Sequence, residues 1–223
     1  MRLIKVITEF RFSGRLQLLK PYEELHLAIL GEEPKQPERM LTPSLILEAK
    51  QRKMRTTLEV KRCAVELEEV PNVGYCVQTI SSAFKKVDDI LEIPLLARVG
   101  VRGMWIEPFE GTFAELLMVY KKTMLGTNVL YDLASDVGLI LDSVDENCKV
   151  SLTTGPMEAQ QLKTQFLSFE QERIPGVFIF ADIDRSTTSE ARYSSKFLSE
   201  FIQRSLAYGE EHVKKLIDII RSK

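Results

Sequence analysis

Apolar and polar residues alternate along much of this chain, a pattern typical of strands that bury one face and expose the other. The first such stretch holds Ile4, Val6, Thr8, Phe10 and Phe12. Similar alternation predicts further strands over residues 44–48, 55–61, 64–70, 95–106, 129–133, 137–143, 149–153 and 176–183. The number of one-sided strands predicts an antiparallel sheet with one wet face.

Apolar residues spaced three or four apart predict helices between these strands. Pro21 suits a helix start, and Gly31 suits its end. Further helices are predicted over 112–124 and from about 189 to the end, where Gly209 is expected to divide the helix. Residues 71–74 predict a turn, and residues 75–79 predict a further strand. Ser81 is then expected to cap the helix that follows. The stretch 162–169 fits either a helix or a strand.

The chain reads as two related halves. Without gaps, residues 3–29 align with 94–120, so that Arg11 falls on Arg102 and Tyr22 on Phe113. A double serine then precedes a phenylalanine in each half, at Ser81-Ser82 and at Ser194-Ser195. We therefore predict an α+β protein of two tandem halves, 1–92 and 93–223, that share an antiparallel sheet with helices packed on one face. The second half has extra length in its middle region.

Composition limits the classes of function. Lysine and arginine number 30 against 32 aspartates and glutamates among 223 residues, so no global charge attracts nucleic acid or anionic lipid. No apolar run approaches the roughly 20 residues that cross a bilayer. Three widely spaced cysteines favour free thiols over disulfides or zinc. These observations predict a soluble, cytoplasmic protein with no membrane segment and no cofactor.

Asp182 and Asp184 are the strongest candidates for metal chemistry. They follow an apolar stretch and, one residue apart, share a strand face, as carboxylates that hold magnesium often do. The alternative is that Asp184 and Ser186–Thr188 end the strand and help to cap the next helix.

A second candidate site is basic, and its cationic residues are interrupted only by Glu59. On an open sheet face such residues would meet nucleic-acid phosphates. Against this, Glu66, Glu68 and Glu69 follow at once, and no aromatic residues for base stacking are interleaved. The candidate nucleic-acid-binding residues are Lys50, Arg52, Lys53, Arg55, Lys61 and Arg62.

No combination of acid, base and nucleophile emerges from the sequence, so no catalytic residues are predicted. Trp105 is expected to be half-buried core or an interface anchor. Arg11 and Arg102, equivalent in the repeat, are expected to pair with Glu24 and Glu115. We expect a binding module for another protein or for a second copy of the chain, with a nucleic-acid-binding protein and a metal-dependent enzyme as alternatives.

Three short motifs carry a family resemblance, namely Glu9-Phe10-Arg11-Phe12, the run from Leu96 to Arg102 (L-A-R-V-G-V-R) and Asp182-Ile183-Asp184. In this order they resemble a sporadically distributed family of uncharacterised prokaryotic proteins, which implies a bacterial or archaeal cytoplasmic protein and supplies no catalytic residues. That family usually continues past the central arginine with an aromatic residue and an asparagine, whereas this chain has Gly103-Met104-Trp105. The element order also resembles that of the TATA-binding protein or of a helix-grip fold.

Overall fold

The strands of the first half and those of the second half meet in one continuous antiparallel sheet. The computed structural model describes residues 1–12, 22–31, 44–93, 95–126, 134–171, 173–190, 192 and 194–222. Within these ranges the sheet has eight strands in the order β2-β3-β4-β1-β5-β8-β7-β6. Their bounds are β1 Arg2–Phe12, β2 Ser44–Ala49, β3 Met54–Glu59, β4 Arg62–Glu68, β5 Leu96–Pro108, β6 Leu139–Asp145, β7 Cys148–Glu158 and β8 Val177–Thr187.

The described helices are of very different lengths. They are α1 Tyr22–Leu30, α2 Val73–Leu91, α3 Phe113–Tyr120, α4 Ala159–Gln165 and α5 Ser195–Arg221. A 3₁₀ turn, Lys50–Arg52, joins β2 to β3, and a π-helical turn, Lys121–Leu125, extends α3. Thr112 and Glu115 form a capping box at the start of α3, and the Ser194 hydroxyl accepts the Phe197 N–H at the start of α5.

The two halves have the same strand order when read outward from the centre of the sheet. β1 is followed by β4, β3 and β2 on one side, and β5 by β8, β7 and β6 on the other. Glu9 lies opposite Gly100 at the junction, and Tyr22 and Phe113 are the first residues of α1 and α3. The predicted α+β fold with tandem halves sharing one antiparallel sheet is therefore confirmed. Origin by duplication and the division at residue 92 stay predictions.

The main core lies between one sheet face and the long helices. Alternate residues such as Val6 and Phe10 of β1 point to α2 and α5, so a single-sided apolar pattern buries itself there. A smaller core lies on the other face, where Leu162 of α4 packs with Phe178 and Phe180. The helix α4 and the segment after it thus cover one end of the second face.

The start of α2 differs from the prediction. Residues 75–79 are helical, and Ser81 lies inside the helix instead of capping it. The side chain of Asn72 caps α2 by accepting a hydrogen bond from the Tyr75 N–H at 2.8 Å. The alternation of Val73, Tyr75 and Val77 suggests a strand, and that prediction was wrong. The residues that the structure buries, Cys76, Ile80 and Phe84, have helical spacing.

Four further expectations meet different outcomes. The ambiguous stretch 162–169 begins within α4. The proposed strand over 129–133 and the Pro21 helix start lie outside the described residues. Gly209 does not divide the last helix: α5 is continuous, and Gly209 instead lies against the Trp105 ring, where a Cβ atom would collide with it.

Candidate interaction surface

One face of the central strands carries charged side chains instead of a helix layer. Alternate residues of β1, β5 and β8 lie on this face, which we call the open face. Its central charged residues are Glu9, Arg11, Arg98, Arg102, Asp182 and Asp184. The helix α4 covers the neighbouring end of the same face, so these groups border a buried apolar cluster on one side.

Glu9 lies at the junction of the two halves and binds three arginines. Its carboxylate accepts the Arg62 Nε–H at 2.6 Å, the Arg11 Nε–H at 2.8 Å and an Arg98 Nη1–H at 3.3 Å. Burial acts to raise the pKa of the Glu9 carboxyl, but the hydrogen bonds and positive charge of Arg11 and Arg62 outweigh it. The pKa of Glu9 is therefore below its ordinary value, and the carboxylate stays ionised.

The two aspartates of β8 bind the arginines of β5. Arg102 Nε donates to both carboxylate oxygens of Asp182 at 2.9 Å, and Arg98 Nη2 donates to Asp184 at 3.2 Å. The hydrogen bond to Asp182 raises the pKa of Arg102. Burial raises the pKa of Asp184 and exceeds the opposing effect of Arg98 and Arg102.

This geometry bears on the metal hypothesis. Asp182 and Asp184 share one strand face, as expected, but they lie within β8 and do not end it. Each is occupied by a guanidinium group, and no group of three or more candidate metal-ligand residues occurs in the described part of the chain. A metal-dependent activity stays a prediction without support from these contacts.

The six basic candidates do not form one cluster. Lys50 and Arg52 lie in the turn between β2 and β3, and Lys61 lies in the turn at the other end of β3. A strand of this length spans about 20 Å, so these cations are well separated.

The other three cations are paired. Lys53 Nζ lies 2.5 Å from Glu69, Arg55 lies 2.5 Å from Glu48, and Arg62 binds both Glu9 and Glu59. Of the acids that follow these cations in the sequence, Glu66 and Glu68 pair with Lys5 on β1, at 2.8 and 3.2 Å. The nucleic-acid hypothesis stays a prediction, and half of its residues are engaged by carboxylates.

The expected partners of the repeated arginines were wrong. Arg11 pairs with Glu9 and Arg102 with Asp182. Glu115 instead binds Thr112 in the capping box of α3. Trp105 is 3% exposed on the helix-facing side of β5, so its ring lies in the core and not at an interface.

A concavity of about 610 Å³ lies on the open face of the second half. Charged residues of both signs line it, together with Ser143, Ser151 and Ser186. The charged lining residues are Arg11, Arg98, Asp142, Lys149 and Asp184. Such a lining of mixed charge suits a polar ligand or a protein surface better than it suits a uniformly anionic ligand.

The edge strand β6, which borders this concavity, exposes apolar side chains. Ile140 is 68% exposed, Leu141 49% and Val144 73%. The sequence pattern predicts a strand over 137–143 but gives no expectation of this exposure. A signal was present, because Leu139, Ile140 and Leu141 are consecutive and a strand with one buried face cannot bury all three.

Comparisons with known proteins do not show a family for this chain. No family model matches the chain, and no curated protein matches it. Among solved structures, TBP of Methanococcus jannaschii is similar at 13% identity and a TM-score of 0.37, over 100% of this chain and 98% of that chain. A likeness this weak supports no inference about the fold or the function of this chain. Of the described helices, none has the length and apolar character needed to cross a membrane.

Proposed function

We propose that this chain is a non-catalytic binding module that takes up an extended segment of a partner protein along β6. The observation that carries this proposal is the exposure of Ile140, Leu141 and Val144 on a strand at the sheet edge. An edge strand presents unpaired backbone N–H and C=O groups, and an added strand satisfies them while covering apolar side chains.

The composition of β6 supports this role. Natural edge strands are commonly protected by lysine or proline, and the sequence of β6, L-I-L-D-S-V-D, contains neither. The opposite edge strand, β2, buries Leu45 and Leu47 beneath the helices and exposes one large apolar residue, Ile46. The two ends of the sheet therefore differ, and β6 offers the larger apolar surface.

The open face supports a binding role in a second way. Its carboxylates and guanidinium groups bind one another, as in the contacts of Glu9 and Asp182. Groups held in such pairs form a fixed, polar surface with both signs of charge, which suits recognition and leaves less freedom for acid–base chemistry.

Selection from a random peptide library tests the proposal. With the immobilised chain as bait, we expect enriched peptides that fail to bind the variant Ile140→Lys/Val144→Lys, because two lysines remove the apolar surface and protect the edge. The matched control is Ile46→Lys on β2, which should retain these peptides. Absence of enrichment, or equal binding to the β6 variant, would overturn the proposal.

A further inference from the structure

The open-face side chains of β6 follow a simple order, apolar, acidic, apolar. Ile140, Asp142 and Val144 alternate along the strand and lie opposite Thr153, Ser151 and Lys149 of β7. All three β6 residues are exposed. A strand added to this edge would place its own alternate side chains directly beside them, within about 5.5 Å between Cβ atoms.

Asp142 is the charged member of this set and is exposed to solvent. Among the described residues it has no hydrogen bond or ion pair, and its facing neighbour on β7 is the uncharged Ser151. Its acidic counterpart on the other face of β6, Asp145, is instead held by Arg185 at 2.9 Å. Asp142 therefore has a carboxylate available to a partner, at the rim of the concavity.

A second copy of β6 is a poor partner for this edge. The antiparallel register that brings Ile140 of one copy opposite Val144 of the other also brings the two Asp142 carboxylates face to face. Like charges directly opposite destabilise a strand pair. The occupant with the best complementarity is therefore a strand from a different protein.

We infer that β6 selects a strand in which a basic residue lies between two apolar residues, each two positions away from it. This inference rests on the proposed function. The apolar side chains cover Ile140 and Val144, and the lysine or arginine pairs with Asp142. This pattern reads the same in both directions, so it holds for parallel and antiparallel addition.

Two synthetic heptapeptides test the inference. The first is acetylated and amidated Thr-Val-Thr-Lys-Ile-Val-Thr, and the second has glutamate in place of lysine. Each is titrated into the ¹⁵N-labelled chain, and the amide shifts of residues 139–145 report binding at the edge. The lysine peptide is expected to bind roughly threefold more tightly or better, in line with a cross-strand charge pair.

Variants of Asp142 supply the controls. Asp142→Lys should reverse the order of the two peptides, and Asp142→Asn should reduce their difference, with undisturbed spectra elsewhere as proof of folding. Equal binding of both peptides to wild type, or an unchanged order in Asp142→Lys, would overturn the charge preference and leave strand addition standing. If neither peptide shifts the β6 amides, the proposed function itself is contradicted.

Discussion

At the scale of single residues, the centre of the open face depends on one carboxylate. Glu9 accepts hydrogen bonds from Arg62 on β4, from Arg11 on its own strand and from Arg98 on β5. It thereby joins three neighbouring strands across the junction of the halves. Removing its charge would weaken the acceptor that these three arginines share, and Arg62 and Arg98 are partly buried, so the loss costs more than that of an exposed ion pair.

Glu9→Gln should lower the free energy of unfolding by about 1–2 kcal/mol at pH 7. Because the pKa of Glu9 is lowered in the folded chain, its stabilisation is present above the ordinary glutamate pKa and is lost as pH falls through the lowered value. The difference between wild type and variant should therefore shrink at pH 3. Urea unfolding at both pH values measures it.

The control for this experiment is Glu211→Gln, which removes an exposed pair with Lys215 on α5. Its effect at pH 7 should be much smaller than that of Glu9→Gln, because solvent screens an exposed pair. Equal effects of the two substitutions, or a Glu9→Gln deficit that persists unchanged at pH 3, would contradict the assigned role of Glu9.

At the scale of elements, a helix or strand could be predicted from the sequence where its pattern of apolar residues fits only one of the two. β1 could be predicted because its apolar residues alternate against a mostly polar second face. The start of α2 is ambiguous, since Val73, Tyr75 and Val77 fit a strand period, whereas Asn72 is a residue type that often caps a helix.

The partners of the charged residues on the open face could not be predicted from the sequence either. The pairing of Glu9 with Arg62 and Arg98 requires that β1 lie between β4 and β5, a fact of sheet order that local periodicity does not contain. The two acids of β8 could be placed on one face, because side chains two residues apart share it. Their engagement with arginines of β5 depends again on which strand is the neighbour.

Gly209 provides a prediction at the same scale. Glycine inside a helix normally costs about 1 kcal/mol relative to alanine, so Gly209→Ala in an unobstructed helix would stabilise the chain. Here a Cβ atom would collide with the Trp105 ring. We therefore expect Gly209→Ala to destabilise by about 1–3 kcal/mol, measured by urea unfolding.

A control and a double variant separate this collision from a general effect of alanine. Gly176→Ala should have little effect, because no heavy atom of a residue beyond its chain neighbours lies within 4 Å of the new Cβ among the described residues. The cost of Gly209→Ala should be smaller in a Trp105→Phe background, where the smaller ring leaves more room. A stabilising Gly209→Ala substitution would show that helix and ring do not pack as described.

At the scale of the whole molecule, the two halves are joined by more than one contact. β1 and β5 pair along most of their length at the centre of the sheet, and α2 packs against α5 on the helix-facing side. The core residues of both halves also belong to one continuous apolar cluster. Separating the halves would expose this cluster and break the central strand pair.

We therefore expect the halves to unfold together in one cooperative transition. Trp105 fluorescence reports on the second half, and the thiol of Cys63, fully buried on β4, reports on the first. In a Cys76→Ala/Cys148→Ala variant, urea-dependent thiol labelling of Cys63 and loss of the native Trp105 signal should share one midpoint. Labelling should be monitored at fixed times short enough to track the unfolded fraction. Two separate midpoints would mean that the central β1–β5 pair does not couple the halves, and that residues 1–92 and 93–223 behave as independent domains.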